Sequence, residues 1–172
     1  DDFDHNGGYD SLKDKIEIKQ VIEDSNQSVH VDYPFYLLLS ERESKDTNDS
    51  SLISYFTYDH LTYLFMGDAS KQIEKQLMAT YDLKADVIKV GHHGSNTSSD
   101  PDFLDSLDCQ IALISCGYKN KYGHPSVETL KTLENLHINT LCTSDCGSIA
   151  MYSFFHFSPV VTNDGMFGII WT

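Results

Sequence analysis

The chain has 172 residues, 40% of them apolar and 22% charged, and its 12 Lys and Arg stand against 26 Asp and Glu for a formal charge of −14. At ~150 residues per domain this is about one domain, with enough chain to build a core without staples. Disordered, collagen-like and coiled-coil classes are excluded by composition, and a uniformly basic wrapper of nucleic acid is excluded by the acid excess.

In chain order, Gly7-Gly8 leads into a short helix, and Ile16–Ile22 is expected to be a strand. Residues 23–28 are a turn, and Val29–Ser40, which holds the apolar run Phe35–Leu39, is a second expected strand. The polar stretch Glu41–Ser50 fits a mobile loop. Ser51–Thr57 and Leu61–Met66 are β-rich runs joined at Tyr58-Asp59-His60, a hairpin.

After Gly67-Asp68 the period changes. Ile73, Leu77 and Tyr81 recur every four residues, which predicts a helix over Ala69–Tyr81. Ala85–Val90 is a strand, and Asp100-Pro101 opens a short helix with the aspartate as cap. Gln110–Ser115 is a buried strand. Pro125–Leu136 is a helix with Val127, Leu130 and Leu133 on one face. Ile138–Cys142 and Ser148–Ser153 are strands, and Phe154–Thr172 is a terminal hairpin about Asn163-Asp164-Gly165. The alternation of strand and helix between residues 60 and 142 predicts α/β layering, and the hairpins at either end predict a mixed sheet. No internal repeat or linker divides the chain, so residues 1–172 are expected to be one domain.

No run approaches the ~18 apolar residues of a membrane span, and no signal peptide is visible. The abrupt start at Asp1-Asp2 without a Met suggests a piece of a longer chain. Four cysteines are too few for a disulfide scaffold and form no C-x-x-C pair. Cys109 and Cys116 flank a strand and would stand about 23 Å apart, beyond disulfide reach. Free thiols are expected, with Cys116–Cys142 or Cys142–Cys146 as alternatives under oxidising conditions.

Three clusters sit at predicted strand or loop ends, where a sheet can aim side chains into one cleft. In Asp2-Phe3-Asp4-His5-Asn6-Gly7-Gly8, carboxylates and an imidazole offer the usual ligands of zinc or manganese, although a solvated acidic terminus would look the same. In Leu64-Phe65-Met66-Gly67-Asp68, a strand ends in an aspartate that could bridge two ions or merely cap a helix. In Lys89-Val90-Gly91-His92-His93-Gly94-Ser95, paired histidines lie between glycines that let the backbone approach a ligand, an arrangement rare among core histidines. A fourth element, Asn120-Lys121-Tyr122-Gly123-His124-Pro125, places His124 before a helix, either in solvent or as a phosphate contact or general acid. His30, His60, His137 and His156 are given structural roles.

This order of motifs, D-x-D-H-x-G-G, strand–G-D, K-V-G-H-H-G-S and Y-G-H-P, resembles the metallo-β-lactamase superfamily. More narrowly, it is similar to the metallo-β-lactamase-like domain of ComEC-type DNA-uptake (competence) membrane proteins. Asn48-x-x-Ser51, Ile111–Ser115 and the Asp145-x-Gly147-Ser148 turn fit the same family, over residues 1 to about 153.

The resemblance implies an αββα sandwich, here lacking its N-terminal strands, with a site for up to two divalent ions, Zn or Mn, at one edge of the sheets. It implies Asp2, Asp4, His5, Asp68 and one of His92 and His93 as metal ligands, with Asp68 bridging. Asp2, Asp4 and Asp68 then join Lys89 and His124 as catalytic groups, the last two contacting phosphate. A leading histidine, expected just before Asp1, and a ligand histidine ahead of Asp68 have no counterpart; Asn48 and Ser51 fall near the latter place.

The implied activity is metal-assisted hydrolysis of a phosphodiester, one strand of DNA being degraded during uptake. The implied partners are single-stranded DNA and the membrane channel of the same parent protein, with the domain on the outer face of a bacterial membrane. Two other functions fit the residues: a hydrolase of another small ester on the same scaffold, and a non-catalytic domain that guides DNA or a partner.

Overall fold

The computed structural model describes residues 7–22, 29, 31–39, 46–152, 154 and 157–171. Its elements in order are α1 (Tyr9–Lys13), β1 (Phe35–Leu38), a one-turn 3-10 helix (Asn48–Ser50), β2 (Ile53–Tyr58), β3 (Leu61–Phe65) and α2 (Lys71–Thr80). There follow β4 (Val87–Lys89), a tight turn (Gly91–Gly94), α3 (Pro101–Leu107), β5 (Ile111–Ile114), α4 (Val127–Asn135), β6 (Asn139–Cys142), α5 (Thr143–Cys146), β7 (Ile149–Met151), β8 (Phe157–Thr162) and β9 (Gly165–Trp171).

β1 to β6 form one mixed sheet in sequential order, and β7 to β9 form a second sheet. β1, β2 and β3 are antiparallel neighbours, while β3 through β6 run parallel. Parallel neighbours need a crossover, and α2, α3 and α4 supply the three required.

Strand alternation decides what packs on each face. Leu64, Ile88, Ala112, Ile114 and Cys142 point to one side and share a core with Ile73 and Leu77 of α2, Phe103, Leu104 and Leu107 of α3 and Leu133 of α4. Leu61, Val87, Ile111 and Leu141 point to the other side and meet Val160 and Ile170 of the second sheet. The result is three layers: helices, the six-stranded sheet, then the three-stranded sheet. Each fully buried Leu or Phe in these layers contributes roughly 1.5–3 kcal/mol. On the second face, Phe35, Phe56 and Tyr63 lie opposite one another across β1, β2 and β3 and stack at 5.4 and 5.1 Å.

The mixed α/β class and the hairpins hold as expected, and three expectations are corrected. Ile16–Ile22 is not a strand: its backbone forms no ladder among the described residues, and Ile16 and Val21 are exposed. Val29–Ser40 shortens to β1, because Pro34 lacks the N–H a ladder needs and Leu39 turns to a φ of +52°. Helix α4 does not bury Val127 and Leu130, which are 68% and 39% exposed. Ser126 caps it instead, accepting the Thr129 N–H at 3.1 Å, and the helix turns Thr129 and Leu133 inward. Asp100 caps α3 as expected, accepting from the N–H groups of Asp102 and Phe103.

Candidate metal centre

Because β3, β4 and β5 are parallel, their C-terminal ends lie along one edge of the sheet, and three of the four motifs begin there. Backbone bonds tie them together. The His92 N–H donates to the Gly67 carbonyl at 3.0 Å, and the Ser126 N–H donates to the Gly94 carbonyl at 2.8 Å. Gly91 is required by contact: a Cβ there would sit 2.8 Å from the Ala69 carbonyl oxygen.

Asp68 is 6% exposed, and its N–H donates to Ser51 Oγ at 3.0 Å. Asp49 accepts the Ser70 N–H at 3.2 Å, so the 48–51 segment braces the whole turn after β3. Ser51 therefore supports the backbone of Asp68.

His92 and His93 are consecutive left-handed residues, with φ of +48° and +54°. That conformation costs a non-glycine residue on the order of 1–3 kcal/mol and persists only when its surroundings hold it. The His93 ring is fixed by its Nδ1–H, which must donate to the Ser115 carbonyl at 2.7 Å because a carbonyl can only accept. In the neutral ring this leaves the lone pair on Nε2, which faces Asp68 Oδ1 at 3.8 Å. That separation is too long for a hydrogen bond; two atoms each ~2.0–2.2 Å from a shared tetrahedral ion lie about 3.4 Å apart, so a closure of about 0.4 Å would let one ion join the pair. His92 is anchored through Nδ1 to Thr97 Oγ1 at 3.1 Å, and Thr97 in turn bonds Ser95 Oγ.

His124 completes the group, with its ring centroid 5.7 Å from that of His92. Its pKa is pushed down by burial, then by His92 and His93, with Asp68 opposing. Lys89 is also lowered by burial, and again Asp68 opposes, which places the ammonium in the field of that carboxylate.

Asp68, Lys89, His92, His93 and His124 thus come together. Asp2, Asp4 and His5 lie outside the described residues, as do His30 and His156. Among the described residues no three His, Cys, Asp or Glu side chains gather at metal-holding distance. His60 has a structural role: its Nε2 bonds Ser158 Oγ at 3.2 Å and links the two sheets. Thr97 acts on the site without standing out in the sequence, since threonine is common at any turn; Ser51 and Ser115 are signalled there only by the family resemblance, which does not give the roles their bonds show.

No protein-family model matches the chain. Among curated proteins, it is 35% identical over 120 residues to ComE operon protein 3 of Bacillus subtilis (strain 168), a match covering 69% of this chain and 16% of that protein. It is 34% identical over 121 residues to competence protein ComA of Neisseria gonorrhoeae, covering 69% of the chain and 17% of the relative. A shorter match, 32% over 91 residues, is to recombination protein 2 of Haemophilus influenzae, covering 53% of the chain and 11% of the relative. The chain therefore spans less than a fifth of the length of these relatives.

Proposed function

Because this chain belongs by sequence with the ComEC-type competence proteins, we propose that it is a metal-dependent phosphodiester hydrolase that degrades one DNA strand during uptake. The observation that carries the reading is the pairing of His93 Nε2 with the buried Asp68 carboxylate at 3.8 Å, the imidazole tautomer being set by Ser115. Helix, sheet and sheet layers with the site at a sheet edge support a metallo-β-lactamase-type sandwich. The resemblance assigns Asp2, Asp4 and His5 to the same centre.

The donor set fits a divalent ion. Carboxylate and neutral imidazole suit zinc and manganese, and a ligand histidine usually gives its other N–H to a carbonyl, as His93 does. Asp68 and His93, with His92 and with the Asp2, Asp4 and His5 that the family resemblance adds, would hold up to two ions. When bound, such an ion supplies a water of lowered pKa and a Lewis acid for the phosphate oxygen.

The chain's own groups do the rest. Ser51 fixes the backbone of Asp68, and Lys89 lies in the field of its carboxylate. Lys89, on the rigid end of β4, offers a cation to the phosphate as negative charge develops. His124, depressed in pKa by burial, is mostly neutral near pH 7 and can take a proton at one ring nitrogen while donating from the other. Gly91 and Gly94 let the histidine turn pack directly on Ala69 and Pro125, which holds both imidazoles at the sheet edge. The partners in this reading are a single DNA strand, held transiently, and the membrane channel portion of the parent, with the domain outside the cytoplasm.

The test is release of nucleotides from labelled single-stranded DNA by the chain in Mn²⁺ or Zn²⁺. Asp68→Ala and His93→Ala should abolish it, and calorimetry should show the loss of ion binding with it. Release that persists in Asp68→Ala refutes the site.

A further inference from the structure

Beside the metal centre, the loop from Gly117 to Gly123 carries Tyr118, Lys119, Lys121 and Tyr122. In a chain of charge −14, the whole stretch from Cys109 to Val127 contains no acidic residue. The stretch from Val87 to Ser99, on the other side of the site, contains none either. The two tyrosines are the most exposed large hydrophobic residues among those described, at 74% and 69%. Each has a lysine ammonium over its ring, Lys119 at 5.1 Å from Tyr118 and Lys121 at 4.8 Å from Tyr122.

The loop is not slack. Asn120 Nδ2 donates to the carbonyls of Gly117 at 3.0 Å and His124 at 2.6 Å, and Asn120 Oδ1 accepts the His124 N–H at 2.9 Å. This clasp fixes the distance from the aromatic rings to the site. The Tyr122 ring stacks on His124 at 5.9 Å with an interplanar angle of 16°, and His124 in turn adjoins His92.

We propose that this loop grips single-stranded nucleic acid next to the scissile phosphate, Tyr122 and Tyr118 stacking on bases while Lys119 and Lys121 pair with flanking phosphates. The location rests on the phosphodiesterase reading, and the experiment does not. Each nucleotide presents a π face and a negative charge, and each Tyr–Lys pair presents the complement. An exposed lysine–ring contact is weaker than a base–ring stack, so the lysine swings to phosphate as the base takes its place on the ring. Duplex bases are stacked on one another and cannot reach the rings, which makes the grip selective for single strands.

The experiment is fluorescence anisotropy of the full chain in EDTA, so that binding is measured without metal or hydrolysis. The probes are labelled oligothymidylate, the matching RNA and a duplex of equal length. The grip predicts that oligothymidylate binds more tightly than duplex. Tyr122→Ala weakens binding about tenfold while Tyr122→Phe keeps it. The Lys119→Ala, Lys121→Ala pair flattens the slope of log K against log salt by about 1.4. Tyr58→Ala, which removes an exposed tyrosine on β2, leaves binding unchanged. RNA bound as well as DNA supports the same grip, since base and phosphate are common to both. Wild-type binding by Tyr122→Ala, equal binding of duplex, or a larger loss in Tyr58→Ala overturns the proposal. Loop-dependent binding without nuclease activity in Mn²⁺ retains the grip and refutes the hydrolase; hydrolysis indifferent to Tyr122 does the reverse.

Discussion

His93 gives its Nδ1 proton to the carbonyl of Ser115 at 2.7 Å, and this one bond turns the ring's other nitrogen toward Asp68. Ser115 follows β5 directly, so the sheet itself sets the tautomer. His92, by contrast, is anchored to the side chain of Thr97 within its own loop.

The first prediction compares the two histidines. His93→Ala should weaken Mn²⁺ or Zn²⁺ binding at least as much as the 10–100-fold typical of losing even an outer partner, and more than Thr97→Ala does. Isothermal titration with each ion checks the order. A Thr97→Ala loss larger than that of His93→Ala would place the principal ligand at His92.

The second prediction separates chemistry from ion binding. Lys89→Met and His124→Ala should lower kcat by roughly 10²–10³-fold while ion affinity changes little. Both groups have burial-depressed pKa values and act on phosphate in the proposed reaction. Single-turnover hydrolysis at saturating metal, beside a metal titration of each variant, makes the distinction.

The core of the fold is legible in the chain, because β3, β4, β5 and β6 place apolar side chains on two buried faces. Ile16–Ile22 carries β-prone residues too, yet a strand needs a partner, and pairing is not written in a local pattern. The α4 face misled for a different reason. Val127 and Leu130 have the right spacing, but the Ser126 cap and the bond from Thr129 Oγ1 to the Ser95 carbonyl at 3.0 Å decide the rotation. At the site, glycines on either side of His92-His93 marked the loop. The choice between the two rings depends on Ser115, some twenty residues away just beyond β5, and no local signal holds that contact.

The third prediction concerns pH. Glu74 is buried in α2 and accepts the N–H groups of Ser99 at 2.8 Å and Asp100 at 2.6 Å. Burial raises its pKa from 4.5 to about 7, outweighing those two bonds. The native state therefore keeps the proton up to about pH 7, while the unfolded chain releases it near 4.5. Between those values the native state binds more protons, so this group's contribution to stability falls as pH rises, by on the order of 3 kcal/mol across the window. Urea unfolding of wild type and Glu74→Gln from pH 4.5 to 7.5 should show a difference that shrinks as pH rises. A pH-independent difference would mean that Glu74 is ionised throughout.

The fourth prediction tests the close approach of two motif loops. Gly91→Ala places its Cβ 2.8 Å from the Ala69 carbonyl and 3.4 Å from Ser98 Cβ, and neither neighbour is the free end of a flexible chain. Overpacking of this kind costs typically 1–3 kcal/mol. It should also weaken ion binding, since the turn carrying Asp68 must shift. Denaturation and metal titration on the same variant check both; unchanged values in both would show that the loops part without cost.

The last prediction follows from two thiols. Cys116 Sγ and Cys142 Sγ lie 3.1 Å apart at the ends of β5 and β6, and both residues are free thiols, as are Cys109 and Cys146. Of the two pairings the spacing allowed, the structure favours this one, because the Cys146 thiol is turned to the Cys142 carbonyl at 3.0 Å. A disulfide requires an S–S distance of ~2.05 Å, so about 1 Å of closure is needed. Burial holds the Cys142 thiol up at about 11, which leaves the less buried Cys116 as the attacking group. Oxidised glutathione should therefore form a mixed disulfide at Cys116, which Cys142 then resolves, releasing reduced glutathione and joining the two sulfurs. Peptide mapping should find Cys116 linked to Cys142, while Cys109, also held up at about 11 by burial, stays reduced. Cys116 immediately follows Ser115, so oxidation should also shift the His93 imidazole resonances. Linkage of Cys142 to Cys146 instead, or no linkage at all, would contradict the arrangement at these strand ends.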